Sequence, residues 1–319
     1  MLLLKWTLSI LILLFLAAAA LYVIAGLEAQ KIDDAAREKA PGEFIELTDG
    51  KLHYRWDGPE DGSVIVMVHG YVTPHYVFEP NAEALNEAGF RTLRFDHFGR
   101  GWSDRPRVKY DIDFYDRALL ELLDELQITQ PVGIVGLSMG GIISTEFAVR
   151  HPDRVEKLFL IAPTGLDLAG TDGFMVKLMR VPVIGDWIWR MSWKSVMKSS
   201  YAEAEASLSP ENMPPGDVNE QMAYRGFSEA LLSTFRHLPM SDRGEAYSAL
   251  SQTDVPMAAV FGADDETVLV SSVEKLETLM PEAEITVLEG ATHVLNLERQ
   301  AEVNPRMVDW FTGEGKEPN

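Results

Sequence analysis

The chain runs to 319 residues, of which 46% are hydrophobic and 24% charged, a balance that buries a core and excludes a disordered or fibrous chain. Its 28 basic residues against 49 acidic ones leave a formal charge of −21, which repels phosphate backbones and anionic lipid surfaces and sets nucleic-acid binding aside. Cysteine is absent, so disulfides, thiolate metal sites and a cysteine nucleophile are excluded.

The first element is an uncharged stretch from Trp6 to Leu27, which as a helix spans roughly 33 Å and crosses a bilayer. A secretory signal has an apolar core of only about 7 to 15 residues. A retained single-pass anchor over 1–27 is therefore expected, with Val23 and Ala25 offering a cleavage site as the alternative. Trp6 and Tyr22 stand where interfacial aromatics belong. Lys5 and the amino terminus read as the head of an export signal, which puts the folded domain outside the cytoplasm. Lys31, Arg37 and Lys39 beyond the span leave cytoplasmic display open.

A charged linker over 28–42 follows, and from Glu43 strand-like and helix-like segments alternate, the pattern of a largely parallel sheet with helices on both faces. EFIELTDG and KLHYRWDG form a hairpin turning at Asp49-Gly50. SVIVMVHG, FRTLRFD, PVGIVGLS, VEKLFLIAP, MAAVFGAD and EITVLEG make eight strands in all, most as continuously apolar as strands buried on both faces. Helical spacing begins near Pro80, Ile112, Met139, Val270 and Glu298. The rhythm breaks between Ala162 and Val255, where Met- and Trp-rich amphipathic pieces predict an all-helical insertion over the carboxyl edge of the sheet. The expected division is an α/β core over 43–163 and 251–314, a helical cap over 164–250 and a tail over 315–319.

Gly136-Leu137-Ser138-Met139-Gly140-Gly141 joins the strand PVGIVGLS to a helix. A serine on so tight a turn projects its hydroxyl off the sheet edge, and glycines two before and two after avoid collision with the adjoining strand and helix. Serine needs a base, and the base needs an acid to orient it. MAAVFGAD ends in Asp264 and is followed by Asp265, and His293 lies in the loop after EITVLEG, giving the order Ser, Asp, His expected for a strand-turn-helix nucleophile. His53, His151 and His237 sit where structural roles explain them. Backbone amides must receive the oxyanion. Met139 NH, at a helix N-terminus, supplies one, and Tyr71 NH, in the loop opened by His69-Gly70, supplies the other, while the Tyr71 phenol either lines the acyl pocket or packs.

On these residues the chain resembles the α/β-hydrolase superfamily from about Phe44 to Trp310, and within it the capped serine esterases and monoacylglycerol-lipase-like enzymes. VHGY resembles the oxyanion loop, FDHFGRGWSD the loop after the fourth strand, GLSMGG the nucleophile elbow, HPDRV its helix end and GATHVLNLE the histidine loop. In the family the acid commonly stands three residues after a strand-ending glycine, which selects Asp265 from Gly262; Asp96, Arg100, Ser103 and Asp104 match an architectural loop. Haloalkane dehalogenases and epoxide hydrolases place an aspartate where Ser138 stands, which sets both chemistries aside.

The resemblance implies a hydrolase of carboxylic esters, a lipase or carboxylesterase, acting through an acyl-enzyme on Ser138 with His293 and Asp265 and with no metal or organic cofactor. Its partner would be a small-molecule or lipid ester. Trp187, Trp189, Met175 and Met179 would line the cap's underside against an acyl chain or pack cap to core. A C–C bond hydrolase, a peroxidase-like enzyme and a non-catalytic ligand receptor are the alternatives that this fold admits.

Overall fold

In the computed structural model, which describes residues 2–24, 30–214, 216 and 218–313, eight strands form one sheet. They are β1 Glu43–Leu47, β2 Gly50–Asp57, β3 Val64–Val68, β4 Arg91–Phe95, β5 Val132–Leu137, β6 Val155–Ile161, β7 Met257–Gly262 and β8 Glu284–Leu288. Their order across the sheet is β1-β2-β4-β3-β5-β6-β7-β8. β2 runs antiparallel to β1 and β4, and the remaining pairings are parallel. Every residue of β5 and β7 is buried, as their unbroken apolar sequence requires of strands covered on both faces. The hairpin turns on Thr48 and Asp49, while Gly50, at φ 124°, already opens β2.

The helices are α1 Leu2–Ile24, α2 Asp34–Arg37, α3 Glu79–Glu87, α4 Ile112–Glu125, α5 Met139–Arg150, α6 Phe174–Met179, α7 Ile184–Ala206, α8 Val218–Gln221, α9 Phe227–His237, α10 Gly244–Leu250, α11 Ser271–Leu279, α12 Leu295–Glu298 and α13 Gln300–Thr312. Two buried apolar clusters sandwich the sheet. Phe114, Leu119, Leu122, Ile142 and Phe147 of α4 and α5 cover one face, and Phe78, Leu85, Val303 and Met307 cover the other.

α6 to α10 all fall between β6 and β7. α10, the last of them, packs into the core on α5: Ala246, Tyr247 and Leu250 are buried there, and the Tyr247 hydroxyl donates to the Thr164 carbonyl at 2.6 Å. α6, α7 and α9 instead gather around a third apolar cluster of Trp189, Trp193, Met197, Met222, Phe227 and Leu231.

The apolar helix α1 leaves its side chains unburied over the stretch from Lys5 to Ile24, and it is long and apolar enough to cross a membrane. The cleavage site at Ala25, the end of the span at Leu27, the start of the linker and the tail over 315–319 lie outside the described residues. Gln30 is tied to the insertion, its amide donating to the Ala223 carbonyl at 2.7 Å while its carbonyl accepts from Arg225 NH at 2.8 Å.

Candidate active site

Ser138 sits between β5 and α5 with φ 52° and ψ −117°, a positive-φ conformation costing roughly 1–3 kcal/mol that the surroundings must impose. They do so through the main chain. Ser138 NH donates to Ile161 O at 2.9 Å, and the Ser138 carbonyl accepts from Gly141 NH at 2.8 Å and Thr164 NH at 3.0 Å. The flanking glycines are steric necessities. A Cβ on Gly140 would stand 1.9 Å from the Val68 carbonyl oxygen, and one on Gly136 would stand 2.7 Å from that of Gly140.

The structure brings Ser138, His293 and Asp265 together. His293 Nε2 is 3.0 Å from Ser138 Oγ, and His293 Nδ1 is 2.8 Å from Asp265 Oδ2. Asp265 is buried, and its second oxygen accepts from the amides of Thr267 at 2.7 Å and Val268 at 2.9 Å. Those two bonds fix the carboxylate so that Oδ2 faces the imidazole, which places the proton on Nδ1 and leaves Nε2 to accept from the serine. Asp264, its neighbour, is exposed. One residue outside the sequence-based expectation joins this group. Glu298 accepts from both the amide and the hydroxyl of Thr292, the residue before His293. Its signal was present in GATHVLNLE, where the only acid of the string stands at the end of a short helix facing back on the loop.

The loop after β3 closes the other side. A Cβ on Gly70 would touch Ser138 Cβ at 3.4 Å, an ordinary van der Waals distance, so the Gly70–Tyr71 peptide lies directly beside the serine. Arg100, fully buried, donates from Nε to the Tyr71 carbonyl at 2.9 Å and from Nη2 to Thr234 Oγ1 at 3.0 Å. The Tyr71 hydroxyl donates to Leu231 O of α9 at 2.7 Å, so the phenol is a tie between the loop and the insertion. His69 donates from Nδ1 to Gly70 O at 2.8 Å and accepts at Nε2 from His97 NH at 2.9 Å. Burial, with the charge of Arg100 assisting against that of Asp96, pushes its pKa down to about 3 and keeps the ring neutral.

His53, His75 and Asp96 form the one cluster among the described residues whose geometry suggests metal ligation. Their atoms are spent on one another. Asp96 binds His53 Nδ1 at 2.8 Å, His75 Nδ1 at 2.7 Å and the amides of His75 and Trp102 at 3.0 Å each, and His53 Nε2 meets the Pro41 carbonyl. Burial works to raise the Asp96 carboxyl, but the two histidines outweigh it and hold it well below the usual carboxylate range. The donor set fits a brace between β2, β4 and the loop after β3 rather than a cation.

The Trp and Met residues of the insertion divide. Trp189 and Met179 join the cluster that packs on Tyr71 and Val72, with Trp189 Nε1 donating to Ser228 O at 2.7 Å. Trp187 and Met175, expected to line the same surface, do not reach it. Residues two apart on a helix lie about 200° apart around its axis, so Trp187 faces away from Trp189: it is 38% exposed against 7% and donates from Nε1 to the Ala18 carbonyl of α1 at 3.3 Å. Met175 is likewise exposed.

Residues 63–182 match the family model of the α/β hydrolase fold. A 2-hydroxy-6-oxononadienedioate/2-hydroxy-6-oxononatrienedioate hydrolase of Paraburkholderia xenovorans (strain LB400) is 28% identical over 296 residues, covering 87% of this chain and 97% of its own. A haloalkane dehalogenase of Mycolicibacterium paratuberculosis (strain ATCC BAA-968 / K-10) is 23% identical over 277 residues, or 82% of this chain and 87% of its own. Among solved structures, the enol-lactonase from Burkholderia xenovorans LB400 has a TM-score of 0.68 at 23% identity over 85% of this chain and 100% of its own. A thermophilic esterase from Thermogutta terrifontis has a TM-score of 0.68 at 19% identity, covering 87% and 100%. Sheet order, nucleophile elbow and these matches agree that the chain has the α/β-hydrolase fold.

Proposed function

We propose that the protein is a membrane-anchored serine hydrolase of carboxylic esters with apolar acyl chains, with Ser138 as nucleophile, His293 as base and Asp265 as orienting acid. The observation that carries this reading is the continuous line from Asp265 Oδ2 through both nitrogens of His293 to Ser138 Oγ, with links of 2.8 and 3.0 Å. A binding module has no use for a serine strained into that line.

In the first step His293 Nε2 takes the proton of Ser138 Oγ as the oxygen attacks the ester carbonyl. The oxyanion is received by the amides of Met139, at the start of α5, and Tyr71, donors of a kind worth about 3–4 kcal/mol each to the transition state. Collapse expels the alkoxide, which takes the proton from His293 and leaves as the alcohol. Water then gives its proton to His293 and attacks the acyl-enzyme, and the serine recovers its proton as the acid departs. Asp265 stabilises the imidazolium in both halves.

Trp189, Met179, Met197 and Met222, packed over Tyr71 and Val72, support an apolar acyl group, and a substrate of that kind is concentrated at the surface in which α1 would sit. The test is an acyl-length series of p-nitrophenyl esters on the detergent-solubilised protein. A rise in kcat/KM from acetyl towards medium chains is expected, and a flat profile contradicts the apolar acyl site.

A second reading is favoured by the 28% identical C–C hydrolases, which span nearly the same length. The same line of residues would then act on a vinylogous diketone. Turnover of such a substrate faster than of any ester in the series would decide for it.

A further inference from the structure

α7 carries two apolar stripes on opposite faces. The inner stripe, Trp189, Trp193 and Met197, is buried. The outer stripe, Ile184, Trp187 and Met191, is exposed, as are Val183 (77%) beside it in the turn and Phe174 (76%) at the start of α6, more exposed apolar side chains in one hairpin than isolated ones account for. We propose that this outer face of the α6–α7 hairpin enters the lipid leaflet beside α1, as a second membrane contact that fixes the insertion over Ser138 at the bilayer surface. The proposal rests on the reading of α1 as a membrane helix.

The register between α1 and α7 sets the depth. Trp187 Nε1 reaches the Ala18 carbonyl at 3.3 Å, and Arg190 Nε reaches that of Tyr22 at 3.0 Å with its guanidinium 4.4 Å from the Tyr22 ring centre. Three residues on α7 thus advance with four on α1, and the helices run in the same direction. Ala18 lies six residues before Ile24, about 9 Å below the end of α1 at about 1.5 Å per residue. Trp187 shares that depth, and Ile184 and Val183 stand deeper. Arg190 and Tyr22, nearer the end of the span, are the pair expected at the headgroup level.

Two independent features agree. From the headgroup level upward, α7 holds Arg190, Lys194 and Lys198 with no acid between them, in a chain whose total charge is −21. The general repulsion of this chain from anionic lipid is therefore reversed locally. Val183 also holds φ 67° at the tip of the hairpin. A β-branched residue is strained there, and glycine or asparagine would relax it. An exposed, strained valine is accounted for by an apolar environment at the tip.

The absence of cysteine makes the test clean. Full-length Val183→Cys and Phe174→Cys carry a nitroxide label in phosphatidylcholine/phosphatidylglycerol vesicles, with Leu11→Cys on α1 and the exposed Glu277→Cys on α11 as references. Retained reaction of Ser138 with a fluorophosphonate marks folded variants, and two hairpin positions guard against the loss of one. The expected result is that labels at 183 and 174 collide preferentially with oxygen, like the label at 11, while the label at 277 collides with a water-soluble nickel chelate. Nickel-accessible hairpin labels beside an oxygen-accessible label at 11 overturn the hairpin contact and leave the anchor standing. A nickel-accessible label at 11 overturns the anchor reading itself. Dipolar broadening at 183 that vanishes on dilution with unlabelled protein shows that a second copy covers the face, and also overturns the proposal.

Discussion

His293 Nε2 lies 3.0 Å from Ser138 Oγ, although the two residues are 155 positions apart in the chain. β5 delivers one and the loop after β8 the other, and Asp265, following β7 between them, holds the imidazole. Asp265→Asn should lower kcat by about 10⁴-fold by inverting the tautomer of His293, whereas Asp264→Asn should leave it unchanged. Steady-state hydrolysis of one chromogenic ester by both variants checks this, and equal losses would reassign the acid.

Gly140 has no room for a side chain. Gly140→Ala should cost about 3 kcal/mol or more and remove the labelling of Ser138, because a Cβ there meets the Val68 carbonyl at 1.9 Å. Gly173→Ala is the control. Its Cβ would find Val176 at 3.8 Å and nothing closer, so only the loss of a glycine N-cap of α6, about 1 kcal/mol or less, is expected from denaturant midpoints, with labelling of Ser138 retained.

Acid should weaken the fold through His69. Its folded value of about 3 lies below the unfolded value near 6.5, so between those limits the unfolded chain binds a proton that the folded chain refuses. The contribution of His69 is therefore complete above about pH 6.5 and declines towards pH 3, at up to about 1.4 kcal/mol per pH unit. Denaturant titrations at pH 7, 6, 5 and 4 should show that slope, and His69→Gln should make it shallower by about one proton. An unchanged slope would exclude His69 as the source.

Glu298 positions the loop that carries His293. Glu298→Gln weakens the charged bonds to the Thr292 amide and hydroxyl, and the rate of fluorophosphonate reaction should fall about tenfold, the equivalent of roughly 1.4 kcal/mol. Glu298→Ala should fall further while still labelling only Ser138. A loss of thermal stability with an unaltered reaction rate would make the role merely structural.

The two faces of α7 should separate by activity. Trp189→Ala should flatten the acyl-chain profile, because Trp189 packs with the cluster over Tyr71, whereas Trp187→Ala, whose indole meets α1, should preserve it. The kcat/KM series of p-nitrophenyl esters reads both.

The sheet was legible because its strands are continuously apolar and punctuated by glycine, and the elbow because Gly136 and Gly140 announce a backbone crossing too close for side chains. Choosing Asp265 over Asp264 needed the family spacing from Gly262, since both stand in the same turn and only their surroundings in space, the imidazole of His293 and the amides of Thr267 and Val268 on Asp265, distinguish them. The faces of α7 were not legible. Ile184, Trp187 and Met191 are as apolar as Trp189, Trp193 and Met197, so periodicity finds two stripes and cannot say which one faces Tyr71. The tie from Tyr71 to Leu231 joins residues 160 positions apart, and the brace from Glu298 to Thr292, though it spans only six, closes on a loop where no repeating pattern marks a contact. Within 164–250, the helix α10 belongs with the core, since its Ala246, Tyr247 and Leu250 pack on α5. Seven residues of helix are too short for their spacing to say which neighbour they cover.

The central claim is that Ser138 is the activated nucleophile, and the most direct measurement is peptide mapping after reaction of the folded, detergent-solubilised protein with a fluorophosphonate. A single phosphonyl adduct on the peptide containing Ser138, absent from Ser138→Ala and from heat-unfolded protein, is the predicted result. No adduct on folded protein, or an adduct that persists in Ser138→Ala, would contradict it.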